Sequence, residues 1–405
     1  MPAAWVDEVF EEHRQRQYPR ELMFSTIVEL MTLVTLGLRP SLHAAARKLE
    51  SLPVSVAALY DKLKRTEPQV LQGLVRGSAQ RLVPVAAQLD DGHASLPGWQ
   101  LRIVDGNHLP ASEKRLQALR GHRGAALPGH SLVVYDPDAG LVRDLVACED
   151  AHESERVGVQ PLVEGAQPGQ LWIADRHFCT HAITQGFNQA GASFIVREHA
   201  RHPRLIRQGR WGEHVRIDTG RLREQAIEVQ GLHDAAAQAE LSLWRRIEIE
   251  LDTPTEAGET VIRLWTNLPA TVDAAAVAAL YRKRWRIEGM FQRLESVLHS
   301  EIKSLGHPRA ALLGFTYHLA EHVKSGYEGM LIAVPAGHWP SAAGQTAQAL
   351  ANTLLRLACR IVPRQVSTSK RAPKLDTPKG YVDASIARSH VSTARVLRKA
   401  RAARP

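Results

Sequence analysis

Two aspartates in the sequence directly follow short apolar segments that have the composition of buried strands. Asp105 comes after Leu-Arg-Ile-Val, and Asp175 comes after Leu-Trp-Ile-Ala. A carboxylate at the end of a strand is held on a rigid scaffold and can point out of the sheet edge. A strand-end aspartate is also a common turn or cap residue, so each of the two has a purely structural alternative.

A third carboxylate, Glu288, lies in a segment of helical composition, Asp273–Ser300. Alanine and leucine dominate the first half, no proline interrupts the segment, and Asp273 can cap its start. We therefore predict one long helix. At about 100° per residue, one face of this helix carries Tyr281, Arg284, Glu288 and Glu295. The stripe is either a solvated polar face or part of a site.

The chemistry that three such carboxylates could support is metal-assisted phosphoryl transfer. Asp105, Asp175 and Glu288 would offer hard oxygen ligands from separate elements, which suit Mg²⁺ or Mn²⁺. Two such ions about 4 Å apart can activate a water or a 3′-hydroxyl and stabilise the leaving oxygen. Such a transfer needs little else from the protein than positioning and charge.

The elements around these residues predict an α/β protein with a mixed sheet covered by helices. Strands and helices alternate from Trp99 onwards, and the turn at 136–140 indicates a hairpin. The predicted parts are a helical N-terminal domain (1–95), the first part of an α/β core (96–200), a β-strand-rich insertion (201–262), the rest of the core (263–325) and a helical, then basic and partly disordered C-terminal region (326–405).

The segment Ser41–Arg65 resembles a helix-turn-helix. A short alanine-rich helix is followed by a break at Leu52-Pro53, and a second predicted helix ends in basic residues. A second helix of this kind could enter the major groove of DNA. Any helical hairpin has a similar pattern, so contact with DNA is one of two interpretations of this segment.

Positive charge is concentrated towards the C-terminal end. The net charge of the chain is +9, and Arg356–Pro405 contains thirteen Lys and Arg against two Asp. This stretch contributes +11, which leaves −2 for the first 355 residues. A basic tail suggests a polyanionic partner, most simply nucleic acid, or a basic disordered end without a specific role.

Other features of the sequence exclude several classes of protein. The three cysteines have no CxxC spacing, which argues against a zinc site or a disulfide framework and favours a reducing cytoplasm. The start of the chain lacks the pattern of a signal peptide, and the most apolar run, Leu22–Leu38, is too short and polar for a membrane span. We find no Walker-type phosphate loop, nucleophile elbow or HExxH.

Together these motifs resemble insertion-sequence transposases of the DDE class, which have a ribonuclease H-like core. YRKRWRIEGMFQRLE is similar to the branch marked by Tyr-x2-Arg-x3-Glu-x6-Lys, because it contains Tyr281, Arg284 and Glu288 at that spacing. IVDGN around Asp105 and IADRHF around Asp175 are similar to the family's two aspartate strands. The TNLP at 266–269 and the long insertion before Glu288 also fit.

The resemblance implies a DNA transposase that cleaves at transposon ends and transfers the strand into target DNA. Asp105, Asp175 and Glu288 would bind two Mg²⁺ or Mn²⁺ ions, and Tyr281 and Arg284 would contact the terminal phosphates. The implied partners are double-stranded DNA, as terminal inverted repeats and as target, and a second copy of the chain that holds the second end. We expect a cytoplasmic, nucleoid-associated protein with no membrane partner.

In relatives, a tryptophan before the helix can stack on an extruded base. Trp265 and Trp244 are the candidates in this chain, and a buried core position is the alternative for both. Arg176 and His177, beside Asp175, could line the site or form an ordinary surface pair.

One residue departs from the resemblance. The final Lys of the signature is replaced by Glu295, whose carboxylate would repel a phosphate that a lysine attracts. Arg293 and Lys303 lie less well on the face of Glu288 and compensate poorly. Two further functions therefore stay open: a decayed or domesticated DNA-binding protein without turnover, and a metal-dependent nuclease of the same core that cuts but does not join strands.

Overall fold

The structure is a computed structural model of the chain. It describes residues 2–18, 21–35, 38–47, 52–89, 94–109, 116–201, 205–230, 241–298, 302, 305–317, 319–320 and 390–403. The predicted helix Ala342–Val362 and most of the tail that starts at Pro363 lie outside these residues. None of the helices in the described ranges is long and apolar enough to cross a membrane.

Helices form the N-terminal part of the chain, as the sequence predicts. They are α1 Ala3–His13, α2 Phe24–Thr35, α3 Leu42–Ala46, α4 Val56–Arg65 and α5 Pro68–Leu89. The hydroxyls of Ser41 and Ser55 cap α3 and α4 by accepting hydrogen bonds from the backbone N–H three residues later, at 3.2 Å each. The two helices of the proposed helix-turn-helix are therefore present. Their contact with DNA stays a prediction.

One large mixed sheet occupies the middle of the described structure. Its ten strands are β1 Gln100–His108, β3 His130–Asp136, β4 Leu141–Cys148, β5 Gln170–Ala174, β6 Ser193–Arg197, β7 Leu205–Gln208, β8 Val215–Ile217, β9 Gly220–Gln230, β10 Leu241–Leu251 and β11 Val261–Thr266. The order is β4-β3-β1-β5-β6-β11-β10-β9-β7, with β8 beside β9. The neighbours β1, β5 and β6 run parallel, and the other pairs are antiparallel.

The strand-rich insertion extends this sheet rather than building a second one. β11 pairs with β6, and β10 and β9 continue outwards from it. The predicted hairpin is confirmed by the pairing of β3 with β4. Strand β7 is not among the segments that the sequence indicated.

Shorter helices follow the strands. Asp175 is succeeded by a 3₁₀ turn, Arg176–Phe178, and a second such turn spans Gln117–Leu119. The α-helices of this part are α6 Glu155–Gly158, α7 Gln160–Glu164 and α8 His181–Gln189. Helical residues 308–317, here α11, and 319–320 lie within the predicted helix His307–Ser325, whose remainder is outside the described residues.

The prediction of one helix over Asp273–Ser300 is wrong, because the segment forms two. They are α9 Ala274–Arg282 and α10 Trp285–Leu298. Asp273 caps α9 as predicted, its Oδ1 accepting from the N–H of Ala275 at 2.6 Å. At the junction the N–H groups of Lys283 and Arg284 donate at 3.0 Å to carbonyls only three residues back, which tightens the chain into a turn.

The sheet is covered on both faces. Leu101 and Ile103 of β1 pack in a core cluster that includes residues of α1–α5, α9 and α10, and we refer to this side as the α10 face. Val104, the residue after Ile103, packs on the other side of the sheet in a cluster that includes Phe187 of α8. Because Asp105 comes two residues after Ile103, its side chain lies on the α10 face.

A strand and a helix near the C-terminal end were not predicted. β12 His390–Ser392 pairs in parallel with β2 Ala125–Leu127, and α12 Thr393–Ala402 follows it. Asp150 fastens this segment to the core, because its carboxylate accepts from the Ser392 hydroxyl and the Arg395 guanidinium at 2.7 Å each.

Candidate active site

The parallel pair of β1 and β5 brings the two aspartates to the same level of the sheet. Ile103 is the partner of Ile173, and Asp105 and Asp175 each follow two residues later. The side chains therefore share one face and one edge region, because strand residues alternate with a period of two. The two apolar segments predicted a strand before each aspartate, and the resemblance to the transposases implied that the two carboxylates act together.

Asp105 does not end its strand, contrary to the prediction. β1 continues to His108, because residues 103–108 keep their pairing with β3, where Asp105 faces Val133. Asp175 does follow β5 directly, and its Oδ1 accepts from the N–H of His177 at 2.8 Å. One aspartate is thus fixed by strand pairing and the other by capping a 3₁₀ turn.

Glu288 joins the site from the first turn of α10. Arg284 lies between it and the first aspartate: Nη1 of Arg284 donates to Oδ2 of Asp105 at 2.9 Å, and Nη2 donates to Oε1 of Glu288 at 2.7 Å. The arginine side chain is only 11% exposed. A half-buried guanidinium thus links the strand carboxylate to the helix carboxylate.

The three carboxylates influence one another electrostatically. Burial raises the pKa of Asp105 from its ordinary 3.8 to about 6, and the positive charge of Arg284 opposes this rise. The nearby carboxylates of Asp175 and Glu288 each raise the pKa of Asp105 further. The effect on Asp105 indicates that Asp175 and Glu288 lie near it, and repulsion between like charges favours the binding of a cation.

Tyr281 is buried beside Arg284 rather than exposed. Burial raises the pKa of Tyr281 to about 12, and the positive charge of Arg284 opposes the rise. Only 7% of the tyrosine is exposed. In this conformation little of the tyrosine is accessible to a phosphate in solution. The predicted phosphate contacts of both residues stay predictions.

Glycine at 106 is explained by a close approach to its neighbour. A Cβ at this position would lie 1.9 Å from Oε1 of Glu155, the first residue of α6. The N–H of Gly106 also donates to Oδ1 of Asp105 at 2.9 Å. The Asp-Gly sequence therefore lets α6 approach the strand directly behind the candidate site.

Trp265 and Trp244 occupy buried core positions, which is one of the two interpretations that the sequence left open for them. Trp265 is 1% exposed and makes an edge contact with the buried Trp244, at 6.3 Å between ring centroids. Base stacking by Trp265 is not supported by this placement, because the sheet register turns its ring into the core. The sequence analysis missed Trp285, which is 62% exposed, with the guanidinium of Arg284 4.9 Å from its ring centroid.

The remaining predicted neighbours lie around the edge of the site. Arg176 pairs with Glu259 of the β10–β11 loop at 3.2 Å, and His177 makes an edge contact with Phe178. Glu295 is exposed on α10. The side chain of Arg293 and all of Lys303 lie outside the described residues, so compensation for the missing lysine is not tested.

The donors at this site suit a hard divalent cation, since carboxylate oxygens are the ligands that Mg²⁺ and Mn²⁺ prefer. Across the described ranges, however, no three His, Cys, Asp or Glu side chains are grouped in metal-binding geometry. Arg284 instead forms ion pairs with both Asp105 and Glu288, at 2.9 and 2.7 Å. The residues fit a metal ion in their chemistry, and in this conformation two of them are paired with a cationic side chain.

Comparison with known proteins agrees with this arrangement. Residues 98–315 match the family described as "Transposase DDE domain", and they include all three candidate carboxylates. "Putative transposase y4zB" of Sinorhizobium fredii (strain NBRC 101917 / NGR234) is 26% identical over 261 residues, which cover 60% of this chain and 67% of that protein. The large mixed sheet is consistent with a ribonuclease H-like transposase fold. The chain belongs to the DDE transposase domain family.

Proposed function

We propose that the protein is a DNA transposase that cleaves at the ends of an insertion sequence and joins the freed 3′ end to target DNA. The observation that carries the proposal is the convergence of Asp105, Asp175 and Glu288 on the α10 face, within the region that matches the family. Carboxylates held by a strand, by the turn after a second strand and by a helix can bind cations without a rearrangement of these elements.

Asp105, Asp175 and Glu288 are the residues that would hold the metal, two Mg²⁺ or Mn²⁺ ions in the full proposal. Bound there, the ions would supply an activated water or 3′-hydroxyl and stabilise the leaving oxygen. The chain itself contributes rigid placement. β1 and the capped turn after β5 fix the aspartates, and the first turn of α10 presents the glutamate.

Arg284 has two roles in this proposal. Without metal or DNA it neutralises the carboxylates, which limits their mutual repulsion. Once DNA binds, the same guanidinium becomes a donor for a terminal phosphate, which its planar geometry suits. Tyr281, buried near Arg284 and influenced by its charge, would contact the same phosphate in this proposal.

The partners in the proposal are terminal inverted repeats and target DNA. A homodimer in the DNA complex, a cytoplasmic and nucleoid-associated location, and DNA contacts by α4 and the basic tail belong to the same proposal. Membership of the Tyr-x2-Arg-x3-Glu-x6-Lys branch does too, with the spacing of Tyr281, Arg284 and Glu288 as its support.

A second candidate function is that of a DNA-binding protein that no longer catalyses a reaction. The exposed Glu295 favours it, because its carboxylate would repel a phosphate approaching along α10. A metal-dependent nuclease of the same core is a third candidate. It differs from a transposase only in failing to join strands.

The experiment is Mg²⁺-dependent cleavage of a DNA fragment that carries the element's own end. We expect wild type to cleave and Glu288→Gln to lose cleavage while binding DNA nearly as well as wild type. The variant keeps the size of the side chain and removes only its charge. Asp105→Ala should give the same result.

Binding of the same fragment, measured by fluorescence anisotropy, is the control for correct folding. Equal loss of binding and cleavage in Glu288→Gln would contradict its catalytic role. Binding without cleavage by the wild type would favour the second candidate. Cleavage without joining of a labelled 3′ end to a plasmid would favour the nuclease.

A further inference from the structure

A cleft of about 740 Å³ opens where the N-terminal helices, the end of β4 and the C-terminal helix meet. It lies apart from the carboxylates, and none of Asp105, Asp175 or Glu288 lines it. Seven Lys and Arg side chains but only three acidic ones line its walls. The cations come from separate stretches of the chain, represented by Lys64 on α4, Arg309 on α11 and Arg401 on α12.

Much of this positive charge is not neutralised. Arg309 pairs with Glu149 and Arg395 with Asp150, each at 2.7 Å. In contrast, no carboxylate among the described residues pairs with the guanidinium of Arg401, nor with those of two further arginines that line the cleft. The cleft therefore keeps a surplus of about four positive charges, which favours an anionic occupant.

His307 indicates where the cations converge. The pKa of His307 is lowered to about 4, first by burial and then by the positive charges of Lys64, Arg401 and Arg309, in that order. Its Nδ1 is buried and has no hydrogen-bond partner within the described chain. A neutral imidazole with an unused nitrogen thus lies among cations from three elements, a setting that a phosphate group would complete.

The cleft opens on the same side of the sheet as the candidate active site. Ala147 lines the cleft and packs against the core cluster that includes Ile103. Cys148, at the end of β4, is paired through His130 with His108, three residues after Asp105 on β1. Three residues along β1 correspond to about 10 Å, and two strand spacings across the sheet correspond to about another 10 Å at right angles. The backbone at Cys148 is therefore about 14 Å from the backbone at Asp105. One DNA duplex spans that distance in about four base pairs.

We propose that this cleft binds the phosphodiester backbone of the DNA whose end lies at the carboxylates, and that α12 completes the binding site. The inference rests on the proposed function and adds an anchoring point for the same substrate. Ala394, Leu397, Arg398 and Arg401 face the cleft from successive turns of α12. Lys399 lies off this face and is exposed.

This arrangement offers a matched pair of variants on one helix. Arg401→Gln and Lys399→Gln each remove one positive charge from an exposed position near the end of α12. Only Arg401 lines the cleft. Neither residue has an ion-pair partner among the described residues, so neither change should disturb the fold. Circular dichroism of the two full-length proteins checks this.

The experiment measures the affinity of full-length protein for a labelled duplex of about 30 base pairs, without divalent metal, between about 50 and 200 mM salt. We expect Arg401→Gln to weaken binding about threefold to tenfold and to make the slope of log affinity against log salt shallower by about 1. Lys399→Gln should change both values much less. Arg401→Glu should weaken binding more than Arg401→Gln.

Each alternative result of this experiment has a different interpretation. Wild-type affinity and slope in Arg401→Gln, with DNA bound by the wild type, would overturn the cleft and leave the proposed function intact. Equal losses in both glutamine variants would also overturn it, because they would indicate unspecific attraction to a basic helix. Failure of the wild type to bind any duplex would overturn the cleft and the proposed function together.

Discussion

Asp105→Asn should stabilise the metal-free protein at neutral pH while abolishing DNA cleavage. Burial raises the pKa of this carboxyl from 3.8 to about 6. Arg284 opposes the rise, and two nearby carboxylates add to it. One pKa unit corresponds to about 1.4 kcal/mol. A shift of about two units therefore means that ionised Asp105 lowers the free energy of unfolding by about 3 kcal/mol.

Proton binding determines whether ionisation of Asp105 raises or lowers the free energy of unfolding. As pH rises, the unfolded chain loses the proton of Asp105 near pH 4 and the folded chain near pH 6. Between these values the unfolded state binds fewer protons, so increasing pH favours unfolding. The penalty is absent below about pH 4 and complete above about pH 6. Asparagine does not ionise and avoids the penalty while keeping the shape of the side chain.

The assay is thermal unfolding of wild type and variant with a chelator present, at pH 4 and pH 7.5. About 3 kcal/mol corresponds to roughly 6–12 °C in the midpoint for a cooperative unit of 150–250 residues. We expect this gain at pH 7.5 and little difference at pH 4. Asp175→Asn is the control, because an asparagine oxygen can still accept from the His177 N–H. A less stable Asp105→Asn protein at pH 7.5, or an effect independent of pH, would refute the reasoning.

Two tryptophan variants give further predictions. Trp244→Ala should lower the free energy of unfolding by about 3–5 kcal/mol in urea denaturation, because Trp244 is buried against Phe194 with ring centroids 5.0 Å apart. A loss below about 1 kcal/mol would contradict its core position. Trp285→Ala should change stability by less than about 0.5 kcal/mol, since the ring is exposed. It should weaken DNA binding by about 1–3 kcal/mol if the ring stacks on a base, and unchanged affinity would exclude stacking.

Local sequence was sufficient for elements that depend on their own composition. The strand before Asp175 and the hairpin around the turn at 136–140 form where the sequence predicts them. The break between α9 and α10 could not be predicted in this way, because no glycine or proline marks it. Arg284 at the break binds Asp105, 179 positions earlier, so a tertiary contact helps to set the local geometry.

The roles of side chains were harder to predict from the sequence than the positions of helices and strands. The sequence indicated that Asp105, Asp175 and Glu288 belong together, but it could not show that Arg284 lies between two of them. Trp265 and Trp285 are the same residue type, and they differ in the direction in which the backbone orients the side chain. One is turned inwards by the register of β11, and the other lies on the exposed side of α10.

The pairing of β12 with β2 has a consequence for protein synthesis. Ala125 and His390 are 265 positions apart. At about 5–20 residues per second, β2 would therefore wait from about ten seconds to almost a minute on the ribosome for its partner strand. During that time the three carboxylates can already be folded, whereas the cleft still lacks α12. A chain that terminates before residue 390 would have the acidic residues proposed for cleavage but would lack one wall of the cleft proposed to hold DNA.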